Sequence, residues 1–230
     1  MFDHAEIRVR DRDASRRFYE LALGAATHDS ADFTEWGAFG IADGTPSKRL
    51  HAGFGVPDRA AVDAWWQRMT DAGYESDGEP GPRPQYSTGY YGAFVLDPDG
   101  NSIEAVVHER SGDGLDHLWL RTRDVEAQRR FYELVAPVVG IRLVRDAHFR
   151  FADDSGSFTF VEGEPTENIH LAFGVPDFAT VEEFHRLLVD AGYRDNGPPG
   201  ERTQYHPGYY GAFVLDPDGH NVEAVFHDRR

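Results

Sequence analysis

Residues 89–100, Gly-Tyr-Tyr-Gly-Ala-Phe-Val-Leu-Asp-Pro-Asp-Gly, recur letter for letter at 208–219. An internal repeat of this kind decides the architecture before any single element is assigned. From His51 to His108 the two copies keep a constant offset of 119, and 34 of 58 aligned positions are identical. From His4 to Leu23 the offset is 113, with 11 of 20 identical, so the second copy carries six more residues between Glu133 and His170. Copies of about 115 residues have the size of self-sufficient domains and are too few and too long for a solenoid. The repeat predicts two domains, 1–112 and 113–230, joined at the polar stretch Ser111-Gly112-Asp113-Gly114. So short a joint predicts a monomer with two packed halves or a homodimer.

The composition sets limits on function. With 40% hydrophobic and 13% aromatic residues, each half has enough apolar content for a core. No apolar run approaches the length of a membrane span, and the start, Met-Phe-Asp-His-Ala-Glu, lacks the basic and apolar regions of a signal peptide. No cysteine is present, which excludes disulfides and thiolate ligands. A cytoplasmic protein with no membrane partner is expected. The formal charge of −17 opposes nucleic-acid binding, which depends on a cationic surface.

Around the repeat, the periodicities alternate between strand and helix. Ala5, Ile7 and Val9 alternate with His4, Glu6 and Arg8, the pattern of a half-buried strand. Asp11 or Asp13 can cap a helix with Phe18 and Leu21 on its stripe and Gly24 past its end. In the second copy Leu118 and Leu120 alternate with His117, Trp119 and Arg121 before a helix through Phe131 and Leu134. A second cycle starts at His51: a strand with Ala52 and Phe54 on one face, then a helix carrying Val62, Trp65 and Met69 and closing at Ala72-Gly73. A strand over 90–96, a type I turn at Asp97-Pro98-Asp99-Gly100 and a strand over 102–108 complete each copy. Strand parity then turns His4, His51 and Glu104 toward one concavity, and likewise His117, His170 and Glu223.

Five shared motifs make the chain resemble the vicinal oxygen chelate superfamily, the glyoxalase, bleomycin-resistance and extradiol dioxygenase relatives. They are His-x-x-x-Arg-x-Arg-Asp (4–11, 117–124), Arg-Arg-Phe-Tyr-Glu (16–20, 129–133) and His-x-x-Phe-Gly-Val-Pro-Asp (51–58, 170–177). Asp-Ala-Gly-Tyr (71–74, 190–193) and Leu-Asp-Pro-Asp-Gly-x-x-x-Glu-Ala-Val (96–106, 215–225) complete the set. The resemblance implies an α+β fold of four βαβββ modules paired into two glyoxalase-type domains. It also implies that His4, His51, Glu104, His117, His170 and Glu223 are metal ligands. The one remaining family ligand position falls near the apolar Phe39–Ile41 and Phe158–Phe160. Two His and a carboxylate with open positions suit Fe, Mn, Ni, Co or Zn. A mixed site, as in some relatives, would instead join His4 to His170 and Glu223.

Such an ion acts as a Lewis acid toward a small metabolite with adjacent oxygens. The expected activity is that of a glyoxalase-like enzyme of lyase/isomerase or dioxygenase type, with lyase/isomerase favoured over extradiol dioxygenase; the alternative is a metal-free drug- or metabolite-sequestering protein of the bleomycin-resistance type. Glu104, Glu223, Tyr205 and His206 are the candidate catalytic groups, and Arg8, Arg121, Tyr86 and Trp119 the candidate substrate contacts. Arg83 and Arg202 share the Gly/Pro-rich segments of Tyr86 and Tyr205, where a lid is expected. Extradiol relatives place a further His and a Tyr over the metal. Phe94 and Phe213 stand at the Tyr position, which argues against ring cleavage. Glu6 in the first copy corresponds to Trp119 in the second, and Ser87 to His206, so the two pockets are expected to differ. His108 and His227 are expected at the surface, and His28, His148, His185 and His220 have no partner by spacing.

Overall fold

Period-two strings broken by capped helical stripes produce one element order four times in the computed structural model, which describes residues 1–109, 112–145 and 149–228. The first module is β1 (His4–Val9), α1 (Arg12–Leu23), β2 (His28–Asp29), β3 (Phe33–Trp36) and β4 (Phe39–Asp43). The second is β5 (His51–Gly55), α2 (Arg59–Asp71), β6 (Ser76–Pro82), β7 (Tyr91–Leu96) and β8 (Ser102–Val107). The third is β9 (Gly114–Thr122), α3 (Val125–Val139), β10 (Arg142–Arg145), β11 (Phe149–Ala152) and β12 (Ser157–Glu162). The fourth is β13 (Ile169–Gly174), α4 (Phe178–Asp190), β14 (Arg194–Glu201), β15 (Tyr209–Leu215) and β16 (Asn221–His227). The fold is α+β, four βαβββ modules. Ser111 and His148 lie outside the described residues.

An aspartate starts every helix. Asp11, Asp58, Asp124 and Asp177 each accept a hydrogen bond from the backbone N–H three residues on, satisfying an otherwise orphan donor. Helix α2 buries Val62, Trp65 and Met69, the expected stripe. Helix α1 buries Ser15, Phe18, Tyr19 and Ala22 rather than Leu21. The stripe is rotated because the Tyr19 hydroxyl donates to buried Asp97 at 2.9 Å. Asp97 also accepts from Asp99 N and Asn101 N, so the Asp-Pro-Asp-Gly turn ties the last hairpin to the first helix. Part of the six-residue insertion extends α3, which has 15 residues against 12 in α1.

The compact units divide the chain differently from the sequence copies. One comprises Met1–Glu6 with Arg121–Arg230 (unit 1), the other Ile7–Leu120 (unit 2). Strands β1 and β9 are therefore each divided between the units. In unit 2, β5 pairs in parallel with β8 and antiparallel with β9, while β6, β7 and β8 form an antiparallel meander. In unit 1, β13 pairs in parallel with β16. Asp3 N donates to Ala172 O at 2.9 Å, holding the chain start beside β13.

Each unit has its own core. Phe18, Tyr19, Phe39, Phe54 and Trp65 are buried in unit 2, and Phe131, Tyr132, Phe158, Phe173 and Phe184 in unit 1. Among the described residues, no helix is long and apolar enough to cross a membrane.

Candidate metal centres

The exchange of first strands determines which ligand candidates meet. The structure groups His51, Glu104 and His117 in unit 2, and His4, His170 and Glu223 in unit 1. This corrects the expectation that each copy supplies all three residues of its own triad and matches the mixed alternative, which joins His4 to His170 and Glu223. Parity turned the right faces inward, but parity cannot say which strand lies next to β5 or β13, and in each case it is the first strand of the other copy.

In unit 2, His51 Nε2 lies 3.1 Å from both Glu104 Oε2 and His117 Nε2, and His117 Nε2 lies 3.3 Å from Glu104 Oε2. In unit 1, His170 Nε2 lies 3.1 Å from His4 Nε2 and from Glu223 Oε2, and His4 Nε2 lies 3.9 Å from Glu223 Oε2. Donors at right angles on an ion with bonds of about 2.1 Å stand about 3 Å apart; the unit 2 set has that spacing throughout, and the unit 1 set has it except between His4 and Glu223. Two neutral imidazoles facing each other through Nε2 also need a proton or cation between their lone pairs. Glu104 Oε1 is buried with no hydrogen-bond partner, an arrangement that is costly unless something else contacts that oxygen. The residues present therefore fit a divalent ion.

Close approach requires missing side chains. A Cβ on Gly53 would stand 2.2 Å from the His117 ring, and one on Gly92 would stand 2.1 Å from Glu104 Oε1. Gly211 leaves the corresponding room for Glu223.

A further layer orients the donors, and much of it is not evident from spacing. Tyr90 OH donates to Glu104 Oε2 at 2.9 Å, and Tyr209 OH donates to Glu223 Oε1 at 2.8 Å. Burial, then the facing glutamate, raises the pKa of both phenols. Asp3 Oδ1 lies 2.9 Å from His4 Nδ1, and Asp116 Oδ2 lies 3.8 Å from His117 Nδ1. Ser102 Oγ is 3.2 Å from His51 Nδ1 and Asn221 Nδ2 is 2.7 Å from His170 Nδ1. His170 Nε2 is open to a metal only when the Asn221 amide turns its oxygen to Nδ1–H.

His108 and His227, expected at the surface, are instead half-buried partners of these aspartates: His108 Nε2 lies 2.8 Å from Asp116 Oδ1, and His227 Nε2 lies 2.9 Å from Asp3 Oδ2. The signal was an Asp directly before the His in both copies, Asp3-His4 and Asp116-His117.

Electrostatics differ within each triad. Burial disfavours a charged His117, but Asp116 and Glu104 outweigh it and lift its pKa to about 9. Burial, reinforced by the neighbouring His117, lowers His51. Burial would raise Glu104, yet its two histidines hold it at about 2. Burial would also raise Asp3, and His4 and His227 together bring it below the ordinary value.

The other candidates are placed by their own contacts. Trp119 stands beside His51, with ring centroids 6.4 Å apart, and Tyr86 meets Trp119 at 5.5 Å. Arg83 and Arg202 lie over the Phe94 and Phe213 rings, each with its guanidinium carbon 5.4 Å from the centroid. Arg8 donates to Asp43 O at 3.4 Å and runs along Gly44, while Arg121 runs along Gly163. Tyr205 packs on Tyr209 at 4.8 Å. His206 Nε2 lies 2.8 Å from His227 Nδ1, which ties it to Asp3 and so to His4. Of the histidines without a partner by spacing, His185 pairs with Asp195 at 3.0 Å, His28 is exposed and His220 is buried.

The fold has a counterpart among solved structures. Glyoxalase I from Zea mays aligns with a TM-score of 0.72 at 21% identity, covering 98% of this chain and 92% of that one. A Mn(II)-bound glyoxalase from Novosphingobium aromaticivorans aligns with a TM-score of 0.46 at 17% identity, covering 98% of this chain and 81% of that one. At such identities the likeness to the maize enzyme is one of fold. No curated protein matches the chain at significant similarity. Residues 1–105 and 114–224 each match one sequence family. The chain belongs to the Glyoxalase/Bleomycin resistance protein/Dioxygenase superfamily.

Proposed function

We propose that the protein is a metal-dependent, glyoxalase-like enzyme of lyase or isomerase type, in which two His/His/Glu centres engage the adjacent oxygens of a small metabolite. The observation that carries this reading is the unit 2 triad: three donors from three strands, 3.1 to 3.3 Å apart, with one glutamate oxygen buried and unpartnered. His51, His117 and Glu104 would hold one ion, and His4, His170 and Glu223 the other. The ion supplies Lewis acidity toward two neighbouring substrate oxygens.

The chain's own groups do the rest. Asp3 fixes the His4 imidazole by holding Nδ1 at 2.9 Å, as carboxylates behind metal-binding histidines do, while Asp116, 3.8 Å from His117 Nδ1, acts on that ring through its charge. Tyr90 and Tyr209 hold the glutamates in one rotamer through their hydroxyls. Glu104 and Glu223 are the proposed proton acceptors, and the His206–His227 pair gives unit 1 a relay that Ser87 denies unit 2. Tyr86, Trp119 and Tyr205 are proposed substrate contacts. Arg8 and Arg121 are proposed as more distant anchors for an anionic group.

Exposed Tyr86 beside Trp119 also supports a second reading, metal-free sequestration of a small molecule. Metal analysis after anaerobic loading separates the two. We expect about two divalent ions per chain, with about one lost in either His51→Ala or His170→Ala. A content well under one ion, unchanged by both substitutions, contradicts the enzyme reading.

A further inference from the structure

We infer that the two centres select different ligands, and that the unit 2 centre is built for a planar, conjugated group bearing two adjacent oxygens. This rests on the metal-centre reading above and adds a ligand class to one of the two sites.

Trp119 is the direct ladder partner of His51 between β5 and β9, and its ring stands at 78° to the imidazole. Tyr86 meets Trp119 edge-on at 5.5 Å and Tyr90 at 5.1 Å. Phe94 lies 5.6 Å from His51, under the Arg83 guanidinium. The ligand histidine is thus flanked by an indole and a phenyl ring, and the Tyr90 hydroxyl holds the ligand glutamate. Tyr86 is 47% exposed, which places this aromatic wall at the mouth of the site. Edge and face contacts between rings reward a flat, π-bearing ligand beyond the area it buries.

Unit 1 repeats the scaffold and its tyrosine and phenylalanine rings but lacks the indole. Tyr205 and Tyr209 are 4.8 Å apart, and Phe213 is 6.2 Å from His170. The constant offset of 113, however, puts Glu6 where unit 2 has Trp119. The Asp3 N to Ala172 O bond sets the chain start beside β13, and with the β5–β9 register repeated there, in which Trp119 pairs with His51, Glu6 takes the position opposite His170. A glutamate there removes the indole surface.

Benzohydroxamate and acetohydroxamate test this, because they share one vicinal-oxygen chelating head and differ only in the ring. Both are titrated calorimetrically into zinc-loaded protein, with His170→Ala leaving only the unit 2 centre and His51→Ala only that of unit 1. In His170→Ala, benzohydroxamate should bind at least about tenfold more tightly. Adding Trp119→Glu should bring the two within about twofold, with Trp119→Phe intermediate. In His51→Ala no preference is expected, and adding Glu6→Trp should create one without relying on any Trp119 variant.

Zinc retained with equal affinity for both hydroxamates in His170→Ala, or a preference that survives Trp119→Glu, overturns this inference alone. Failure of both single-centre variants to hold zinc overturns the metal reading and this inference with it.

Discussion

Glu104 has one carboxylate oxygen crowded by Tyr90, His51 and His117, and another against Gly92 with no partner. That imbalance makes the residue sensitive to its surroundings. Gly53→Ala pushes a methyl into the His117 ring and should lower metal occupancy in unit 2 while leaving the His4 centre loaded, read as ions per chain. Asp116→Asn removes the carboxylate behind His117 and should weaken metal binding in unit 2 by about 10- to 100-fold, the usual effect of such partners, read by competition with a chelator. Protonation gives a third test. The pKa of His117 is raised to about 9, so its contribution to stability in metal-free protein is fully present below the ordinary histidine value and lost as pH rises through about 9. Metal loading near pH 7.5 should displace that proton. Affinity should therefore fall about tenfold per pH unit on acidification, and about one proton should appear per ion in a pH-stat. No proton release would contradict a charged His117.

The four aspartate caps show how much of the elements was legible in the sequence. A cap and a hydrophobic stripe are local patterns, and α2 follows them residue by residue. Where a side chain answers to a distant group, the local pattern misleads: Tyr19, not Leu21, turns inward because Asp97 sits 78 positions away. The same reasoning explains His108 and His227, whose partners lie on or just before first strands that sequence spacing does not place. Asp58→Ala should lower stability by about 1 kcal/mol, the ordinary value of a lost cap, measured by chemical denaturation. It should leave metal content unchanged, since the cap touches no ligand.

For the whole molecule, the repeat made the fold and the inward faces of six ligand candidates readable, because duplication and parity are both properties of sequence. Partner choice between strands is not. An intact copy and an exchanged first strand satisfy the same periodicity, and only the β5–β9 register and the Asp3–Ala172 bond distinguish them. The most direct measurement compares metal content in two double variants, His4→Ala/His170→Ala and His4→Ala/His51→Ala. The exchanged arrangement predicts about one ion per chain in the first and about none in the second. About none in the first and about one in the second would contradict it.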